Sequence, residues 1–92
     1  MPISLEMSLT RDEFFRLLPG AVGLYALSDG GLILGGDATR RWSIQLQRLE
    51  DRTLGIVSLP RHCVTLNFEG YTEPEVEAFI QRFHRAFQRG GG

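Results

Sequence analysis

His62 and His84 are the two imidazoles of the chain and Cys63 its one thiol, so metal or nucleophilic chemistry would have to be built around them. Imidazole nitrogens bind transition metals, and a thiolate beside an imidazole is a working nucleophile pair. Spacing limits both uses. A metal site needs three or four ligands, and neither HxH nor HExxH spacing occurs. In the alternating segment "HCVTLNF" (62–68), His62 and Cys63 point to opposite faces of a strand, which separates the dyad. His84 falls on a helix that returns across that strand after the short turn Glu69–Gly70. Six strand residues span about 20 Å and the helix from Glu73 to His84 about 16 Å, which makes His62 and His84 a candidate metal pair by position. The plainer reading puts each at the edge of an apolar face, partly exposed.

A second candidate is "GGDATRRW" (35–42), where glycines precede Asp37, Arg40 and Arg41. Backbone amides in such a loop can cradle an anion, with an arginine adding a bidentate contact. The segment lacks the order and the lysine of a P-loop and leads into a strand instead of a helix, so a hairpin connection explains it as well. Asp37, Glu50 and Asp51 define no acid/base couple, because turns recruit acids for local hydrogen bonds. Trp42 beside arginines suits base stacking, but its alternation with Ile44 and Leu46 places it on an apolar sheet face.

The opposite face of the same strands is the more informative one. Ser43, Gln45, Gln47, Thr65 and Asn67 make it polar but uncharged, with Arg41 and Arg61 at its margins. Solvated faces are usually richer in charge, whereas the centres of interfaces are depleted of it. The pattern predicts a surface for a protein partner or a homodimer, set against the alternative of an ordinary wet face.

These residues must be positioned by a small scaffold. Ninety-two residues make one domain (1–92), long enough to bury roughly 60 to 70% of the surface the unfolded chain exposes. Thr10 with Glu13 and Thr72 with Glu75 each write a capping box, and Leu9/Phe14 and Tyr71/Val76 write the matching hydrophobic staples. The first helix is predicted to end near Leu18, before Pro19 and Gly20. The second carries Val76, Phe79, Ile80, Phe83 and Phe87 as one apolar stripe, with its acids early and its arginines late, as the helix dipole favours.

Between the helices the period is two. "AVGLYAL" and "GLILG" flank the turn signal "SDGG"; "RRWSIQLQRL" and "HCVTLNF" alternate. A turn is expected at "EDR" (50–52), then a short, more buried strand in "TLGIVSL" (53–59), interrupted by Pro60. "ISLEM" (3–7) is a plausible opening strand. The expectation is α+β: a two-layer sandwich of about five mainly antiparallel strands with two helices on one face, in the order β-α-β-β-β-β-β-α.

Ten basic against eleven acidic residues leave a net charge of −1, which argues against general nucleic-acid binding. All ten basic residues are arginines, so a Schiff-base lysine and a P-loop lysine are excluded. No apolar run approaches the ~20 residues of a membrane span, "MPISLEMSL" lacks the marks of a secretory signal, and a single cysteine fits a reducing compartment. A soluble, cytoplasmic protein with no cofactor and no membrane partner is expected.

The terminal Gly91 and Gly92 resemble the diglycine end of ubiquitin-like sulfur carriers, which implies C-terminal adenylation and thiocarboxylate formation there. The resemblance covers those residues only, and such carriers extend their tail from a strand, whereas here a capped helix precedes it. Gly90 can instead stop that helix and leave 90–92 frayed. With no coherent catalytic constellation, the sequence favours a small non-catalytic binding or assembly module. A sulfur carrier and a metal-binding accessory protein using His62 and His84 are the alternatives.

Overall fold

The structure, a computed structural model, describes residues 2–91, with side chains in the last helix only as far as Gln88. In chain order the elements are β1 (Ile3–Met7), α1 (Arg11–Val22), β2 (Ala26–Leu27), β3 (Ile33–Gly36), β4 (Arg41–Leu54), β5 (Val57–Glu69) and α2 (Glu73–Gly91). The five strands form one antiparallel sheet in the order β1-β5-β4-β3-β2. Both helices pack on one face of it, the α+β sandwich expected from the sequence.

Register decides which side chains meet the helices. The pairs Ile44↔Leu66 and Leu46↔Val64 join β4 to β5, and Ile3↔Leu66 and Leu5↔Val64 join β1 to β5. With a side-chain period of two, this aligns the apolar sets of three strands on the inner face. There Ile33, Trp42, Ile44, Val64 and Leu66 are buried against Phe14, Leu18 and Ala21 of α1 and Phe83 and Phe87 of α2. Phe14 and Phe87 stack with centroids 5.1 Å apart, tying the helices to each other.

Both capping boxes form. The Thr10 amide donates to Glu13 Oε1 (2.9 Å) and the Glu13 amide to Thr10 Oγ1 (3.1 Å). The Thr72 amide donates to Glu75 Oε1 (2.9 Å) and the Glu75 amide reaches Thr72 Oγ1 at 3.4 Å. α1 runs one turn beyond the Leu18 end expected of it, with Pro19 inside the helix. Pro19 forgoes an amide hydrogen bond but still offers its carbonyl, which accepts from the Gly23 amide at 2.9 Å. Gly23, at φ 76°, then ends the helix. Ala21 and Val22 therefore belong to α1, and only Ala26 and Leu27 of "AVGLYAL" are strand.

The largest departure lies in 50–60. No turn forms at "EDR". β4 continues to Leu54, and the register steps from Leu49↔Arg61 to Arg52↔Leu59, so Glu50 and Asp51 oppose Pro60 in a β-bulge. Pro60, with no amide to donate, sits where the ladder is already broken. "TLGIVSL" is split by the turn at Gly55 and Ile56, and Gly55 (φ 63°) holds the position where a type II′ hairpin takes glycine. Far from being buried, residues 50–58 are exposed. They form an arm that helps stretch the molecule to 48 × 29 × 23 Å.

Gly35 faces Trp42 across the β3–β4 ladder, and the indole lies where a Cβ would stand. Gly35→Ala should therefore cost about 1–3 kcal/mol through overpacking. Gly30→Ala, where an added Cβ meets nothing within 4 Å, should cost less than ~0.5 kcal/mol. Urea unfolding midpoints at unchanged m-value check the difference.

Candidate functional site: the bare sheet face

Seven of the nine proposed binding residues come together on the sheet face that the helices leave bare. Ser43 pairs with Asn67, Gln45 with Thr65 and Gln47 with Cys63, while β1 adds Ser4 beside Thr65 and Glu6 beside Cys63. Ser4 Oγ lies 3.4 Å from Thr65 Oγ1, so hydroxyls and amides run continuously across three strands. Charge enters only at the ends. Arg41 stands opposite Glu69 at one end. At the other, Arg61 donates to Glu6 Oε1 (3.0 Å) and to the Glu50 carbonyl (2.9 Å). A shallow depression of about 330 Å³ at the Arg41 end is lined by Leu34, Gly35, Arg41, Ser43, Asn67 and Glu69.

The arrangement offers neutral donors and acceptors in a plane with one arginine at each margin. It suits hydrogen bonding to peptide groups or side-chain amides better than proton transfer. Cys63 lies on this face with Thr65 Oγ1 4.0 Å from its sulfur, while His62 lies on the other side of the sheet, so the thiol has no imidazole base. Leu34, Ser4, Glu6 and Glu69 also belong to the face and were not anticipated. Leu34 follows from its pairing with Ser43, a register that the sequence of β3 alone does not specify.

Asp37 and Arg40 stand apart from the face. Asp37 Oδ1 accepts the Thr39 amide (2.8 Å), the Thr39 hydroxyl (2.8 Å) and the Arg40 amide (2.9 Å). The amides proposed to cradle an anion are thus filled by the loop's own carboxylate. Hydrogen bonds from the Arg40 amide, then from the hydroxyl and amide of Thr39, hold the Asp37 carboxyl down to about 2. Arg40 turns away to pair with Glu75 on α2, its guanidinium 5.6 Å from the Tyr71 ring centroid. The loop fastens β4 to the start of α2.

His62 is buried (5% exposed), not at an edge, and its Nδ1 lies 2.9 Å from the Leu9 carbonyl. A carbonyl only accepts, so Nδ1 carries the proton and the imidazole anchors the β1–α1 connection. His84 is exposed on α2, beside a cavity lined in part by Leu9 and Glu13. Among the described residues no group of three or more His, Cys, Asp or Glu is placed to hold a metal ion. Gly91 lies within α2, and Gly92 lies outside the described residues. No described helix is long and apolar enough to cross a membrane. No family model, curated protein or solved structure matches the chain.

Asp37 binds its proton less readily folded than unfolded, so its contribution to stability is complete above about pH 4 and is lost as the pH falls toward about 2. Hydrogen bonds from capping threonines lower Glu13 and Glu75 in the same sense. Asp37→Ala should flatten the lower part of the acid limb of stability, followed as the urea midpoint between about pH 5 and 2. Glu13, Asp51 and Glu75, lowered in the same sense by their own hydrogen bonds, would keep the remainder of the pH dependence.

Proposed function

We propose that this protein is a small non-catalytic binding module whose bare sheet face contacts a protein partner or a second copy of the chain. The observation that carries this reading is the one-sided sandwich. Two helices cover one face of the sheet, while the other remains open, polar and uncharged at its centre with an arginine and a glutamate at each end. Desolvating such a centre removes no charge from water, and the marginal charges set the orientation of whatever docks. The side chains on the face provide hydrogen-bonding groups without a positioned nucleophile and base, which favours recognition over turnover.

Gln45 and Asn67 are exposed on this face, so replacing them leaves the core intact. The double variant Gln45→Glu, Asn67→Glu puts charge at the centre. It should lose more than about tenfold in partner capture or self-association while melting like the wild type. Quantitative pull-down from the native extract and sedimentation of the purified chain are the measurements. Equal capture by both proteins, or no partner and only monomer at high concentration, overturns the reading.

A further inference from the structure

A cavity of about 360 Å³ opens on the helix side of the sheet, where the end of α1, the first half of α2 and the residues entering β4 meet. Val22, Trp42, Ala78 and Phe79 give it an apolar lining, with the Trp42 and Phe79 ring centroids 5.6 Å apart. Arg40, Glu75 and Arg82 give it charge. An apolar hollow with a few charged groups, at the lower end of the roughly 300–1,000 Å³ range of small-molecule sites, suits a compact ligand.

The two arginines differ in what they are free to do. Arg40 is committed, paired with Glu75 and standing 5.6 Å from the Tyr71 ring centroid. Arg82 donates through Nε to the Gly20 carbonyl at 3.3 Å, which supplies the cation that the last turn of α1 lacks. Its two Nη groups have no hydrogen-bond partner and no carboxylate among the described residues. Two arginines against one glutamate leave one positive charge over. The depression on the bare face differs, because there Arg41 stands opposite Glu69.

A single carboxylate cancels that excess. Its two oxygens match the paired Nη–H groups of a guanidinium, and the aromatic lining buries the apolar body that carries it. A phosphate dianion would exceed the charge and leave the apolar lining wet. We infer that this cavity binds a small carboxylate with an aromatic or aliphatic body, the carboxylate held by Arg82 and the body packed against Trp42 and Phe79. The site lies across the sheet from the bare face, goes beyond the sheet-face reading and does not rest on it.

Trp42 is the single tryptophan of the chain, so its fluorescence reports on the cavity directly. Phenylacetate should change that emission saturably, binding more than about tenfold tighter than phenylacetamide, its neutral counterpart, or inorganic phosphate. Arg82→Gln, at an exposed position, should lose more than about tenfold in phenylacetate affinity with an unchanged melting curve. Ala78→Leu, which fills the cavity from an exposed helix position, should weaken acid and amide alike. No saturable change, equal affinity for acid and amide, or full affinity in either variant overturns the assignment. So does a loss produced by Arg41→Gln in place of Arg82→Gln, which would put the probe in the bare-face depression that Trp42 also lines. The Gln45→Glu, Asn67→Glu chain should keep the phenylacetate response while losing partner capture, so the two readings fail separately.

Discussion

The pairing of β4 with β5 is the constraint on which the rest of the molecule depends. These strands, of 14 and 13 residues, hold the centre of the sheet, and β1 and β3 attach to their outer edges. Their register fixes which side chains face the helices. A slip by one residue would turn Ile44, Val64 and Leu66 outward and bring Gln45, Thr65 and Asn67 beneath the helices. Burying an apolar side chain is worth about 1.5–3 kcal/mol, so only one register is compatible with the core.

The same pairing explains why the molecule is two-sided. Short loops return both helices to the inner face, where Phe83 and Phe87 meet with ring centroids 4.7 Å apart and Trp42 meets Phe79 at 5.6 Å. The outer face inherits the alternate residues and has no layer of its own. Beyond the bulge, β1, β3 and the helices all fall short, and the hairpin continues alone as the exposed arm.

Much of this was legible in the sequence because the signals are local. Thr10 with Glu13 and Thr72 with Glu75 specify helix starts through hydrogen bonds spanning three residues, and the structure forms both. Polar alternation in 43–47 and 65–67 marks one face because a strand has period two. The arm was not legible. Glu50, Asp51 and Pro60 are residues of turns and of bulges alike, and only the opposite strand distinguishes the two. The apolar run in 53–59 reads as buried by composition, whereas its exposure follows from where the other elements end. Pro19 misled because helix interiors reject proline, yet one more turn is tolerated when Gly23 caps it. His62 and His84 were separable by burial alone, and burial depends on how the β1–α1 connection lies over β5.

The role we propose makes the bare sheet face a recognition surface, backed by the core on its far side. Its most direct test is residue-resolved NMR shift mapping on titration with the partner, or on concentration if that partner is a second copy. Amide signals of Ser43, Gln45, Thr65 and Asn67 should move together, while those of Glu73–Ile80 at the start of α2 stay in place. Shifts confined to the helices, with the sheet-face amides unmoved at saturation, would contradict it.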